Sequence, residues 1–113
     1  TALLLAGLAA TPAPATEARC AFTLECVDAE PCAATSHALT LAMEGFEARL
    51  TTPAETLEGR VGLTPSGASF VVATSGEGVH LLTLMDPAGT ARYTVHLAAA
   101  GLAITYHGAC VSE

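Results

Sequence analysis

The chain contains no lysine and no tryptophan. Its cations are Arg19, Arg49, Arg60 and Arg92, set against eleven carboxylates, and the net charge is −7. A nucleic-acid-binding face must displace counterions with basic side chains, so this balance excludes nucleic acid as a partner. It argues equally against anionic membranes. It favours solubility and suits a cationic partner. Aromatic residues are scarce too: Phe22, Phe46, Phe70, Tyr93 and Tyr106. Much of the apolar fraction is alanine, which buries little area, so the core of one small domain must be thin. Covalent staples make up such a shortfall.

Chemistry-bearing patterns are also missing. Thr64-Pro65-Ser66-Gly67-Ala68 is not the Gly-x-Ser-x-Gly elbow of a serine hydrolase. Ser75-Gly76-Glu77-Gly78-Val79-His80 brings serine, glutamate and histidine close in sequence, which is how a polar turn reads. Gly76 and Gly78 lack the strand-to-helix setting of a phosphate-binding loop. His37, His80, His96 and His107 form no His-x-His or His-x-x-x-His spacing and read as isolated surface residues. Cys20, Cys26, Cys32 and Cys110 contain no Cys-x-x-Cys pair, so zinc is not indicated. No catalytic residue, metal ligand or cofactor is expected, and the chain reads as a non-enzyme.

The chain opens on Thr1 rather than Met, with the apolar run TALLLAGLAA followed by Thr11-Pro12-Ala13-Pro14-Ala15. That run is too short to span a bilayer, which takes about 20 residues. An apolar stretch ending in small residues reads as the end of a secretory signal peptide whose start is missing. Residues 1–15 are thus a signal peptide and 16–113 a single β-domain, with no membrane insertion after cleavage. Glu17-Ala18-Arg19 before Cys20 does not suit a lipid attachment site. An even number of cysteines in a short exported chain reads as two disulfides.

The remainder carries strand-sized segments between turns. Cys20-Ala-Phe-Thr-Leu-Glu-Cys26 alternates, which puts both cysteines on an inner face. Asp28-Ala29-Glu30-Pro31 is a turn. Residues 36–50 fit two strands about Glu44-Gly45, or a helix with Gly45 in its middle. Gly45 would cost that helix about 1 kcal/mol, and strands are favoured. Leu57, Val61 and Leu63 form a weaker strand, with Gly59 and Gly62 marking a bulge or an edge. Phe70 and Val72 oppose Val71 and Ala73 in the next. Residues 79–85 are apolar on both faces, as in a strand covered from both sides. Asp86-Pro87-Ala88-Gly89 has the composition of a type I turn. The spacing indicates an all-β antiparallel meander of about eight short strands, a small barrel or sandwich.

The last hairpin fixes a register. If 98–101 is its turn, Leu97 faces Leu102, Val95 faces Ile104 and Tyr93 faces Tyr106. Thr94 with Thr105 and Arg92 with His107 take the other face. Cys110 then lies at the far end of the last strand. In a meander that closes on itself it neighbours Cys20. This predicts Cys20–Cys110 and Cys26–Cys32, the rival being Cys26–Cys110 with Cys20–Cys32.

The segments Cys20–Cys26, Ala91–His96 and Ile104–Cys110 resemble those of small exported, periplasmic proteins of alphaproteobacteria, a resemblance that implies export and no particular activity. Ser66-Gly67-Ala68-Ser69-Phe70 resembles, in its Ser-Gly-x-x-aromatic order, the inhibitory loop of periplasmic inhibitors of c-type lysozyme, which are small disulfide-stapled β-barrels. That resemblance implies Ser66, Gly67, Ser69 and Phe70 as a binding loop and a basic lysozyme as partner, although this chain lacks the family's lysine and tryptophan. The function expected is a non-enzymatic exported β-domain acting as a binding or envelope-associated module, with a protein partner of cationic character. The alternatives are a c-type lysozyme inhibitor and a carrier of small apolar ligands. Arg92 and His107 are further surface candidates.

Overall fold

The fold is taken from a computed structural model that describes residues 16–85 and 89–113. The expected signal segment, 1–15, and most of the turn expected at 86–89 lie outside the described residues. The strands are β1 (Thr16–Val27), β2 (Ala33–Glu44), β3 (Glu47–Thr51), β4 (Thr56–Leu63), β5 (Ser69–Thr74), β6 (Gly78–Leu84), β7 (Thr90–Leu97) and β8 (Leu102–Ser112). Each pairs antiparallel with the next, and β8 pairs with β1, so the sheet is a closed barrel. Alternation along each strand sends one face inward. The largest fully buried side chains are Phe22, Leu41, Leu50, Val71, Leu82 and Tyr93, one from each of six strands, with Cys20 beside them.

The closing hairpin has the register that its alternation requires. Arg92, Tyr93, Thr94, Val95 and Leu97 stand opposite His107, Tyr106, Thr105, Ile104 and Leu102. Ala98–Ala100 make one 3-10 turn, ended by Gly101 at φ 63°, a left-handed conformation that glycine adopts without strain. Cys20 and Cys110 are direct partners across the seam and form a disulfide, with Cα atoms 4.0 Å apart. The second disulfide joins Cys26 to Cys32 across the β1–β2 loop.

Four expectations need correction. The first strand does not alternate without interruption. Phe22 pairs with Gly108 and Leu24 with His107, so Thr23 is an extra residue, a β-bulge. Beyond it the faces exchange: Leu24 turns outward, Glu25 opposite Tyr106 turns inward, and Cys26 opposite Thr105 leaves the inner face. Gly108 permits the close crossing, because a Cβ there would strike the Ala21 carbonyl oxygen and lie 2.6 Å from the Phe22 Cα. Second, residues 36–50 are strands, as favoured, but Phe46 occupies the turn itself and is 67% exposed. Third, β4 holds an unbroken register with both neighbours, so its glycines mark neither bulge nor edge. Fourth, β6 is covered on its inner face only. Val79 and Leu81 stay exposed on the outer wall beside Val72.

The two disulfides differ in the loop they close, with sequence separations of 90 and 6. In the chain-entropy view, removing Cys20–Cys110 by paired Ala substitutions should cost about 4–5 kcal/mol, and removing Cys26–Cys32 about 2 kcal/mol. Denaturant unfolding of the two double variants checks the order.

Candidate functional site

An antiparallel meander gathers alternate loops at each end of the barrel. One end carries the loops 28–32, 52–55, 75–77 and 98–101. Asp28, Glu30, Glu55 and Glu77 lie on these loops, and Glu25 faces inward just beneath them, so five of the eleven carboxylates gather here. All four arginines lie within strands instead. Arg19 pairs with Glu113 and Arg49 with Glu58, each at 2.9 Å. The acidic loops are held in place. Asp28 donates its backbone N–H to the Ala103 carbonyl at 2.8 Å and accepts the Ala103 N–H on Oδ1 at 3.0 Å. The Thr52 hydroxyl accepts the N–H groups of Ala54 and Glu55 at 3.2 and 3.1 Å.

Beneath this acidic crown the inner faces of β1, β2, β6, β7 and β8 bring together Phe22, His37, His80, Tyr93 and Tyr106. Phe22 and Tyr93 stack at 5.8 Å, and Tyr93 and Tyr106 at 5.7 Å. His37 lies on Tyr106 at 4.4 Å, and His80 stacks with Tyr93 at 5.8 Å. Such pairs add about 0.5–1.5 kcal/mol each beyond burial. His80 is 4% exposed. Its Nδ1 is 2.6 Å from the Tyr93 hydroxyl, and its Nε2 is 3.3 Å from Ser75 Oγ, which also accepts the Gly78 N–H at 3.1 Å.

Electrostatics follow from that burial. Burial lowers the pKa of His80, with Glu55 opposing, and of His37, with Glu25 opposing. Burial first, then the neighbouring Tyr106 and Glu55, pushes Tyr93 up to about 12. Tyr106 also rises to about 12, through burial, a hydrogen bond to Glu25 and the charge of that carboxylate. The Tyr93 phenol is therefore protonated where it meets Nδ1, and the His80 ring bridges Tyr93 and Ser75. This chain of contacts ties β5–β6 to β7 through Ser75, His80 and Tyr93. Among the described residues, no three His, Cys, Asp or Glu side chains converge as metal ligands.

The histidines correct the surface reading for two of the four, His37 and His80. The signal was present in the alternation, since His37 shares parity with Leu39 and Leu41, and His80 with Leu82. The remaining sequence candidates lie elsewhere. Ser66 and Gly67 sit in the β4–β5 loop at the opposite end. There Thr64 accepts the Gly67 N–H on its carbonyl at 2.8 Å and the Ala68 N–H on its hydroxyl at 3.0 Å. The Ser66 and Thr64 hydroxyls are 3.0 Å apart. Ser69 opens β5. The Phe70 ring lies across Gly62 on the outer wall. Phe70, Thr83, Arg92 and His107 form one transverse row there, so three of the sequence candidates share a row with Thr83 between them.

Folded Tyr93 and Tyr106 keep their protons to about 12 while the unfolded reference is 10.0. Their contribution to stability is therefore complete below pH 10.0 and lost as pH rises toward about 12. Ultraviolet phenolate absorbance should rise together with unfolding. Tyr93→Phe should cost about 1–3 kcal/mol at neutral pH by leaving Nδ1 unpaired, as measured by thermal melting. Comparison of the chain with protein-family models, curated proteins and solved structures finds no match.

Proposed function

We propose that the protein is an exported, non-catalytic binding domain, periplasmic or secreted, that docks a cationic protein partner on its acidic end. One observation carries this reading: the loops of one end hold Asp28, Glu30, Glu55 and Glu77 and no arginine, whereas at the other end Glu47 stands opposite Arg60 and Glu113 pairs with Arg19. Opposed charge patches steer association and select against wrong partners. Two disulfides and no free cysteine mark an oxidising, non-cytoplasmic compartment, which fits the signal peptide expected at 1–15. A carrier of apolar ligands is not favoured, because the barrel's interior is occupied by its own side chains.

An oligolysine peptide is a suitable probe. It should bind at low ionic strength and be released by salt. The triple variant Glu30→Gln/Glu55→Gln/Glu77→Gln should weaken binding roughly tenfold. Glu44→Gln/Glu47→Gln, at the other end, should leave it unchanged. Equal losses from both variants in calorimetric titration would remove the acidic end from the reading.

A second reading, inhibition of c-type lysozyme, is favoured by the organisation of the 64–68 loop, where Thr64 holds Ser66 and Gly67 in place. It predicts that the protein slows cell-wall lysis by such a lysozyme and that Ser66→Ala abolishes the effect. Unslowed lysis in a turbidity assay dismisses it.

A further inference from the structure

The acidic end is also the only end whose interior, among the described residues, holds titratable imidazoles. At the opposite end the inward side chains include Ala18, Leu41, Ala48 and Ala91, with the Cys20–Cys110 bridge. His80 is enclosed by Ala73 of β5 and Val95 of β7 on either side, by Tyr93 at Nδ1 and by Ser75 at Nε2. Among the described residues, the charge acting on it is Glu55, from the loop above. His37 faces Phe22 and Glu25 of β1, Tyr93 of β7 and Tyr106 of β8, and among the described residues Glu25 is the charge acting on it.

Both rings are placed for their neutral form. Nδ1 of His80 and the Tyr93 hydroxyl share one hydrogen bond at 2.6 Å; a second ring proton places a full charge between Ala73, Val95 and the Tyr93 ring, where only hydroxyl oxygens face it. A proton on His37 puts charge into a stack of rings whose nearest carboxylate is already engaged by Tyr106. A charge buried at His80 relaxes by admitting water, and one on the half-buried His37 in the same ring stack adds to the strain.

We infer that protonation of His37 and His80 opens the acidic end of the barrel while the Cys20–Cys110 end stays closed, so that this end is an acid-operated release site. The release half rests on the reading that a cationic partner docks here; the opening does not. Opening spreads the crown and adds positive charge beneath it, and both changes weaken the hold on a cation. By reciprocity, a bound cation must resist protonation of the two rings. The sign is fixed by burial. The folded state binds fewer protons than the unfolded chain, so stability is complete above the ordinary histidine value of 6.5 and drains as pH falls below it.

The test uses the full chain. Ring-proton NMR should find His37 and His80 titrating below 6.5, with amide exchange rising at His80, Val95 and Tyr106 over the same range and not at Ala91 or Cys20. Oligolysine affinity should fall at least about tenfold between about pH 7.5 and pH 5, and His37→Phe should blunt the fall. Uniform protection at both ends down to about pH 5, or titration of both rings at or above their ordinary value, overturns the inference even if the variant does not fold. Opening without oligolysine binding at any pH refutes the docking reading and leaves the opening standing. Binding that persists through opening refutes the release.

Discussion

Everything in this protein hangs on the seam between β1 and β8. A meander of eight strands has two edges until its first and last strands pair, and open edges invite pairing with other chains. Here the pairing runs from Ala18 to Val27 along β1 and is pinned by a disulfide between directly opposed residues. The seam joins strands far apart in sequence, so it is the costliest part of the sheet to assemble from an open chain. Its bridge falls where the chain-entropy argument gives it the greatest effect. The thin, alanine-rich core is adequate because closure leaves no edge to protect.

That closure divides the molecule along its axis. Toward the chain termini the interior is small, apolar and covalently tied. Toward the acidic loops it is aromatic and polar, with two imidazoles, two phenols and a carboxylate stacked and hydrogen-bonded beneath a negative rim. The pairing of a fixed end with a titratable one gives the docking and release proposals their physical coherence. Change at one end need not unfold the whole, because the Cys20–Cys110 half of the seam lies away from the groups that titrate, although Glu25 and Tyr106 belong to its other half.

The alternation made much of the fold legible. Strict period two in β7 and β8, with a glycine-ended turn between them, left one register that keeps apolar residues together, and that register brought Cys110 to Cys20. The same parity marked His37 and His80 as inward, but their residue type suggested the surface. Histidine is polar enough to read as solvent-facing until a hydrogen-bond partner such as Tyr93 is known, and that partner arrives through a neighbouring strand. Glu25 was illegible for a different reason. Its inward turn depends on the Thr23 bulge, and nothing local to Phe22-Thr23-Leu24 announces one. The glycine that permits it, Gly108, stands on another strand far along the chain. The acidic crown was visible as net charge but not as a location, because only the meander's connectivity gathers alternate loops at one end.

The bulge at Thr23 has a further meaning. It works as a phase shifter in the pattern by which the strand addresses its two faces. Before it, even-numbered residues of β1 write the apolar core; after it, odd-numbered residues write the polar mouth. Regular pairing of Thr23 in the ladder, without the bulge, would put Leu24 rather than Glu25 at the inner wall and turn a titratable opening into a greasy plug, with composition and charge unaltered. The chemical polarity of the barrel from end to end is thus encoded less in which residues the chain contains than in how the residues between Phe22 and Glu25 are paired.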